Sequence, residues 1–243
     1  MNAADSSRTP LADLVTVVVP TRNEERNIAA LLRSIPAQVP VILADASDDA
    51  TLEIAFRHRP RGIVALDAGL GVSSARQIGA MHTNTPWVLF TDADVVFAEG
   101  YFERLWPLLG DDHDVVYGPK LSQTRYRRYY RWMARWQQRL HTLGIPAASG
   151  SNLIIRRSAL DDIGGFDLSL SCNEDSEIVW RAKRAGRQVT FAPELIVYAW
   201  DHRRLDRGVW RKTWHSTARC ALLYAGLFLK SLRRSDWGYW KGR

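Results

Sequence analysis

The chain has 243 residues, 46% of them hydrophobic, which is enough for one substantial core or for one domain with an appendage. Its two cysteines, Cys172 and Cys220, exclude a disulfide framework and lack the spacing of a zinc site, which fits a reducing compartment. The first residues carry Asp5 and Asp13 and no long apolar stretch, so we expect no secretory signal.

The formal net charge of +7 is unevenly distributed along the chain. Residues 124–140 contain six arginines and no acid, and residues 201–243 contain eleven basic residues against three aspartates. The rest of the chain is therefore net acidic. An acidic body with two basic, aromatic-rich segments favours an anionic partner, which could be lipid headgroups, nucleic acid or a phosphorylated substrate.

The first part of the chain has the pattern of an α/β protein. Apolar, β-branched runs predict strands at 15–20, 39–44, 62–66 and 87–91. Helical spacing predicts helices between them, at 23–34, 49–57 and 73–82. Such alternation predicts a parallel, doubly wound sheet, in which ligands bind at the carboxyl ends of the strands. Segments 20–24, 45–49 and 92–94 fall at those ends.

The segment VLFTDADVVF, residues 88–97, is the most informative part of the chain. Side chains alternate along an extended backbone, so Asp92 and Asp94 are expected to point the same way at the end of a buried strand. A hard divalent ion such as Mg²⁺ or Mn²⁺ would suit two such carboxylates and would also bind substrate phosphates. The alternative is a solvated turn between a strand and a loop.

After residue 95 the pattern becomes less regular. We predict helices at 101–109, 125–140 and 174–185. Strands are expected at 115–118 and 153–156, with a last short strand at 189–191.

Six stretches of the chain, taken in order, resemble family 2 glycosyltransferases of the GT-A fold. The stretches are VVVPTRNEERNI, ILADASDDAT, GVSSARQIGA, VLFTDADVVF, GSNLIIRRSALDDIGGFD and CNEDSEIVWRAKRAG, within residues 17–186. The resemblance implies a GT-A domain over residues 1–202, in which a Rossmann-like, mostly parallel sheet is flanked by helices. Its nucleotide-binding half would cover about 14–97 and its acceptor half about 98–202. Beyond residue 202 the resemblance fades, and we expect a basic, aromatic, amphipathic helical tail over 203–243.

The resemblance also implies a set of donor-binding residues at the strand ends. They are Pro20, Thr21, Arg22, Asn23, Glu24, Asp45, Arg76, Asp92 and Ala93. Asp45 would face the base of the nucleotide, and Arg76 the nucleotide sugar or diphosphate. Alternatively, Arg76 only balances charge on its own helix, which Ser73 or Ser74 would cap.

Metal and catalytic roles follow from the same resemblance. Asp94 would be the direct ligand of Mg²⁺ or Mn²⁺, with Asp92 and His202 completing the site, although His202 could equally be a solvated loop histidine. Asp175 would act as the general base that takes the proton of the acceptor hydroxyl.

The residues around this base would face the acceptor. Glu174 and the segment of Gly150, Ser151 and Asn152 are expected on the acceptor side. The alternative for Glu174 and Asp175 is a pair of acids that stabilises the N-terminus of a helix, and for residues 150–152 an ordinary turn.

The implied function is transfer of a sugar from a nucleotide-diphosphate donor, with UDP favoured over GDP, to an acceptor hydroxyl with inversion. The absence of Gln-x-x-Arg-Trp near the end argues against a processive polysaccharide synthase. A sugar-phosphate nucleotidyltransferase is the enzymatic alternative, but the loop PTRNEERN lacks the glycines that would hold a triphosphate. A nucleic-acid-binding protein is the third alternative, and an acidic sheet edge disfavours that partner.

The basic segments predict contact with a membrane surface. On a helix, one stripe would carry Arg128, Arg131, Arg135 and Arg139, and another Tyr126, Tyr130, Met133 and Leu140. In the tail, residues 218–229 are too short to span a bilayer. They are bracketed by the interfacial residues Trp210, Trp214, Arg233, Arg234, Trp237, Tyr239 and Trp240.

We therefore expect a cytoplasmic protein that is peripheral on an anionic membrane face. A lipid or lipid-linked acceptor would follow from that location. The alternative is a tail that packs on the body or on a second subunit, as in a homodimer.

Overall fold

The computed structural model describes residues 9–67, 71–206, 208–224 and 226. The distal part of the predicted tail, with Arg233, Arg234, Trp237, Tyr239 and Trp240, lies outside the described residues.

Strands and helices alternate through the first part of the chain, as predicted. The strands are β1 (Val15–Thr21), β2 (Val41–Asp45), β3 (Ile63–Asp67), β4 (Trp87–Phe90), β5 (Val95–Phe97), β6 (Val115–Tyr117), β7 (Lys120–Leu121), β8 (Leu153–Arg156), β9 (Val189–Phe191) and β10 (Val197–Ala199). The helices are α1 (Leu11–Leu14), α2 (Ile28–Arg33), α3 (Thr51–His58), α4 (Val72–Met81), α5 (Tyr101–Leu105), α6 (Arg127–Thr142), α7 (Arg157–Asp162), α8 (Glu174–Arg184), α9 (Arg203–Asp206) and α10 (Val209–Tyr224).

The central sheet has seven strands in the order β3-β2-β1-β4-β8-β6-β9. The four strands from the first part of the chain are parallel to one another. Only β8 runs antiparallel to its two neighbours, β4 and β6. The predicted mostly parallel sheet flanked by helices is confirmed. Strands from both parts of the chain belong to this one sheet, because β8, β6 and β9 extend it beyond β4.

Helices cover both faces of this sheet, so the side chains of its central strands are buried on either side. Along β1, Val17 and Val19 join a core with α2, α3 and α5, whereas Val18 faces the opposite core with Phe90 and Ala80. The near-continuous apolar runs that predicted these strands thus reflect burial on two faces.

A second, smaller sheet has the order β5-β10-β7 and was not predicted. Strand β10 pairs antiparallel with β5 and parallel with β7. The expectation that residues 189–191 form the last strand is therefore wrong, because Val197–Ala199 follows it. Strands of two or three residues are too short to show a periodic pattern.

Most predicted helices match the observed ones to within about two residues at each end, and two differ by more. The helix expected at 23–34 begins only at Ile28, because the preceding backbone binds the loop after β2 and the start of α3. Asn23 N donates to Ser47 Oγ (2.9 Å), and Glu24 N donates to Thr51 Oγ1 (2.8 Å). The helix expected at 101–109 ends at Leu105 and continues as a 3₁₀ turn, Trp106–Leu108. Pro107 within this turn has no N–H to donate to a continuing α-helix.

The described part of the tail folds onto the body as α9 and α10. Arg219 of α10 is fully buried and donates through Nε to Asn173 Oδ1 (3.0 Å), and Tyr224 OH donates to the carbonyl of Pro146 (2.6 Å). Among the described helices, none combines the length and apolar character needed to cross a bilayer.

Helix α4 packs closely against β1 at Gly79, where there is no room for a larger side chain. A Cβ atom at Gly79 would overlap the buried side chain of Val18. Gly79→Val should therefore overpack the core and destabilise the fold by about 1–3 kcal/mol. Urea unfolding checks this, with Met81→Val, at an exposed position of the same helix, expected to stay within about 0.5 kcal/mol of wild type. Equal midpoints for the two variants would contradict the packing argument.

Candidate active site

The loop after β4 presents the Asp92 and Asp94 carboxylates on one side of the chain. Ala93 between them is 3% exposed and packs into the hydrophobic core, so its two neighbours project the opposite way and line the same cavity. The predicted common direction of the two aspartates is thus observed, although the strand itself ends at Phe90.

Arg76 joins Asp92 to the start of α8. Its guanidinium is buried, forms an ion pair with Asp92 (Nη2 to Oδ1, 2.8 Å) and forms a second one with Glu174. Burial, opposed by Arg76 and reinforced by Asp175, raises the pKa of Glu174 to about 7. Arg76 was expected at the nucleotide sugar or diphosphate. The structure places it within the cavity lining, bound to two carboxylates.

Asp175 is held by backbone donors. Its Oδ2 accepts from Gly150 N and its Oδ1 from Ser176 N, both at 2.7 Å. Helix α8 begins at Glu174, immediately after Asn173, whose positive φ of 64° turns the chain into the helix. The side chain of Asp175 lines the same cavity as Asp92 and Asp94.

The segment before β8 closes around these groups. Ser151 Oγ donates to Asp92 Oδ2 (2.6 Å), and a Cβ atom at Gly150 would overlap the Arg76 guanidinium. Asn152, in contrast, is fully buried, donating to the Leu195 carbonyl (2.7 Å) and accepting from Tyr101 OH (2.6 Å). Its side chain therefore serves the fold, while Ser151 lines the cavity.

The residues predicted to line the nucleotide pocket, among them Asp45 as the contact to the base, lie at or just after the ends of β1 and β2. Asp45 is buried and accepts hydrogen bonds from Thr21 Oγ1 (2.6 Å), Ser47 Oγ (2.7 Å) and Ser47 N (3.0 Å). Pro20 lies one residue before the end of β1, next to Thr21, and Arg22 is exposed just after it. These residues form one edge of the sheet with the loops that follow.

The loop after β1 is tied to the end of the small sheet. Asn23 has a positive φ of 56°, and its Oδ1 accepts from Asp48 N (3.1 Å). The Glu24 carboxylate accepts from Asn27 Nδ2 (2.6 Å) and pairs with Arg203 (2.7 Å). Burial raises the pKa of Glu24, against the lowering effect of Asn27 and Arg203. Residues far apart in sequence therefore close this side of the site.

His202 follows β10 and lines the cavity. Its Nε2 lies 3.1 Å from Thr124 Oγ1 and 3.4 Å from Ser122 Oγ, and its buried Nδ1 has no hydrogen-bond partner among the described residues. Burial, with a further contribution from Arg125, lowers the pKa of His202, which favours the neutral imidazole. It is thus buried, unlike a solvated loop histidine.

Lys120 is a site residue that the sequence analysis missed. Its Nζ lies 3.1 Å from Asp94 Oδ1 and 3.5 Å from Ser151 Oγ, and the side chain lines the cavity. It stands on β7, a strand of two residues, and one lysine after a proline carries no recognisable signal. Asp201, also in the lining, was missed as well, because a single acid beside His202 forms no motif of its own.

The residues predicted to hold a metal, Asp92, Asp94 and His202, all line the cavity. Across the described ranges, no three His, Cys, Asp or Glu side chains are grouped so as to hold an ion by themselves. Mg²⁺, however, is usually bound by one or two carboxylates together with substrate phosphates and water. The Asp94 carboxylate, of which only Oδ1 pairs with Lys120, and the unpartnered Nδ1 of the neutral His202 fit such a partial set. In Asp92, by contrast, both carboxylate oxygens are engaged, one by Arg76 and the other by Ser151.

The cavity itself has a volume of about 540 Å³ and two unlike ends. One end carries the polar groups described above. The other is formed by α6 and α10, through Tyr129, Tyr130, Met133, Trp136, Gln137, Leu140, Thr213, Thr217, Cys220, Ala221 and Tyr224. The two stripes predicted for residues 125–140 are observed: the four arginines are exposed, whereas Tyr130 is buried and Met133 and Leu140 are partly buried.

The chain is similar in sequence to known glycosyltransferases. The model of the glycosyltransferase-like family 2 matches residues 12–219. The pre-mycofactocin glycosyltransferase of Mycobacterium tuberculosis is 27% identical over 212 residues, covering 78% of this chain, which spans 43% of that relative. An uncharacterised glycosyltransferase of the same organism is 32% identical over 186 residues, covering 73% of this chain and 82% of the relative.

Solved structures show the same fold at low sequence identity. A mannosyltransferase from Pyrobaculum calidifontis, in complex with GDP-Man and Mn²⁺, has a TM-score of 0.62 and 19% identity, covering 98% of this chain and 79% of its own. TarS from S. aureus, in complex with UDP-GlcNAc, has a TM-score of 0.61 and 18% identity, covering 95% of this chain and 76% of its own. The architecture is the GT-A fold, and with a family model matched over most of its length, the chain belongs to glycosyltransferase family 2.

Proposed function

We propose that this protein transfers a sugar from a nucleotide-diphosphate donor to an acceptor hydroxyl, with inversion at the anomeric carbon. The observation that carries the proposal is the convergence of Asp92, Asp94 and Asp175 on one cavity at the carboxyl edge of the sheet. Structural neighbours in complex with GDP-Man and with UDP-GlcNAc support a nucleotide-sugar donor. We favour UDP and keep GDP as the alternative.

The donor would lie between the ends of β1 and β2 and the Asp92–Asp94 loop. Asp45 and Thr21 are fixed to each other and would meet the base, and Asn23 and Glu24 shape the adjoining loop. Asp94 and His202, assisted by Asp92, would hold a Mg²⁺ or Mn²⁺ ion, as supported by the Mn²⁺ present with the Pyrobaculum enzyme. When bound, such an ion stabilises the negative charge that develops on a leaving diphosphate.

Asp175 would take the proton of the acceptor hydroxyl. Each of its oxygens accepts one backbone N–H, and a carboxylate oxygen can accept more than one hydrogen bond, so acceptor capacity remains on both. The Gly150 and Ser176 amides fix the orientation of the Asp175 carboxylate in the cavity. Glu174 is a positioning residue, because its carboxylate is buried on Arg76.

We further propose that the protein lies peripherally on the cytoplasmic face of an anionic membrane, where its acceptor is a lipid or is linked to one. Helix α6 supports this, since it carries five arginines and no acid, with Trp132 and Trp136 46% and 40% exposed. The two indole rings lie 6.1 Å apart, forming an apolar spot among the arginines. A homodimer through the C-terminal tail stays the alternative use of this region.

Removal of the predicted metal ligand tests donor binding. Asp94→Ala should weaken Mn²⁺-dependent binding of UDP or GDP at least tenfold, because one carboxylate of a small ligand set is lost. Calorimetric titration of each nucleotide, with Mn²⁺ and with chelator, measures this. Asp112→Ala, an exposed site away from the cavity, should bind like wild type. Nucleotide affinity unaffected by both chelator and Asp94→Ala would refute the metal-dependent donor site.

Removal of the predicted base tests the chemical step. Asp175→Asn should lower turnover by about 10²-fold or more, since general base catalysis typically contributes 10²–10⁴-fold, while nucleotide binding is retained. The measurement is incorporation of labelled sugar from UDP- and GDP-sugars into a membrane lipid extract. Asp112→Asn is the matched control. Full activity of Asp175→Asn would remove this residue as the base.

Charge reversal on α6 tests membrane contact. The double change Arg131→Glu and Arg135→Glu should weaken binding to anionic vesicles at least tenfold, because each basic residue near the surface contributes about 1 kcal/mol. Flotation with phosphatidylserine vesicles at low salt measures this. Arg33→Glu with Arg184→Glu, on the exposed ends of α2 and α8, changes net charge equally and should have a smaller effect. Equal losses would indicate a net-charge effect in place of a docking face.

A further inference from the structure

Several polar groups at the apolar end of the cavity are already bound to protein partners. Gln137 Nε2 donates to the Ala147 carbonyl (2.8 Å), Thr213 Oγ1 donates to Tyr129 OH (3.2 Å), and Tyr224 OH donates to the Pro146 carbonyl. Burial raises the pKa of the Cys220 thiol to about 11, so it stays protonated and uncharged at neutral pH. These walls thus offer mainly ring, methylene and sulfur surface.

The size and lining of this cavity match a ligand site. Cavities of about 300–1,000 Å³ with apolar walls and a few convergent polar groups are typical of small-molecule sites. Here the apolar walls from α6 and α10 lead to the carboxylate of Asp175. A molecule that fills the cavity would therefore have an apolar body and a reactive group at one end.

The charge at the polar end indicates what that reactive group is. Among the described lining residues, the carboxylates are Asp92, Asp94, Glu174, Asp175 and Asp201 and the cations Arg76 and Lys120. The positive charge of a divalent ion and the negative charge of the donor diphosphate would nearly cancel. The polar end of the cavity would therefore stay acidic with both of them bound. An acidic site repels a phosphate nucleophile and accepts a neutral hydroxyl.

The cavity also reaches the outer surface of α6. Trp136 lines it and is at the same time 40% exposed, beside Trp132 and Arg139 on the basic face of the helix. A hydrocarbon chain that leaves a membrane at this face would meet the opening of the apolar walls.

We propose that the cavity between α6 and α10 binds the hydrocarbon chain of an acceptor whose nucleophile is a neutral hydroxyl at the end of that chain. Met133 and Leu140 contact the chain, and the hydroxyl lies at Asp175. This inference rests on the proposed glycosyl transfer and specifies its acceptor: a long-chain alcohol or a glycolipid, in preference to a lipid phosphate or a free oligosaccharide.

The test uses decyl glucoside, below the concentration at which it forms micelles, as a chain that ends in hydroxyls. Calorimetric titration should show binding to wild type at least tenfold tighter than that of glucose or decyl phosphate. Met133→Glu, which adds a charge to the apolar wall, should weaken binding of decyl glucoside at least tenfold. Gln138→Glu adds the same charge to the exposed face of the same helix and should bind like wild type.

Titration of UDP and GDP with Mn²⁺ on the same samples separates this inference from the proposed function. Retained nucleotide binding by both variants shows that Met133→Glu is folded and that only the chain site is changed. The inference is overturned if wild type binds nucleotide but not decyl glucoside, if Met133→Glu binds decyl glucoside normally, or if glucose or decyl phosphate binds as tightly. Loss of nucleotide binding by wild type would instead refute the transferase proposal itself.

Discussion

The geometry of the site depends on one buried cation. Arg76 projects from α4 and pairs with Asp92 in the loop after β4 and with Glu174 at the start of α8. Breaking a buried ion pair by removing one partner typically costs 3–5 kcal/mol, because the remaining charge is left in a poorly solvated position. The positions of the loop that carries Asp94 and of the first turn of α8, which carries Asp175, therefore depend on this guanidinium. Gly150 leaves room for it, since a side chain there would overlap it.

A second set of contacts closes the site by joining the loop after β1 to the segment after β10. Glu24, in the loop after β1, pairs with Arg203 just after the last described strand, and Asn27 reaches Asp201 in the same segment (3.3 Å). The backbone amide of Trp200 donates to the Asp94 carbonyl (2.8 Å), which fixes this segment beside the loop after β4. The first and last parts of the fold thus meet at the place where the donor is proposed to bind.

The cavity combines two kinds of surface because two kinds of element form it. Strand ends deliver short polar side chains on a rigid sheet, whereas α6 and α10 deliver long apolar and aromatic side chains. Helix α6 is amphipathic: its inner face lines the cavity, and its outer face presents arginine and tryptophan to solvent. The same helix therefore connects the proposed reaction to the proposed membrane surface.

The sequence by itself determined the α/β class, the order of the first strands and helices, and the carboxylates at their ends. Those features are local: apolar runs mark β1, β2 and β4, and alternation around Ala93 places Asp92 and Asp94 on one side. The resemblance to family 2 glycosyltransferases also implied that Asp175 belongs to the same site, and Asp175 lines the same cavity.

Only the tertiary structure decided which partners those side chains take. The Arg76–Glu174 and Glu24–Arg203 pairs join residues 98 and 179 positions apart, and no local pattern encodes such a contact. Lys120 lies on a strand that is too short to predict. Asn152 was expected on the acceptor side, but its side chain is hydrogen-bonded to Tyr101 and Leu195 in the interior. Periodicity reports which face of an element is buried, whereas pairing across elements is set by packing in three dimensions.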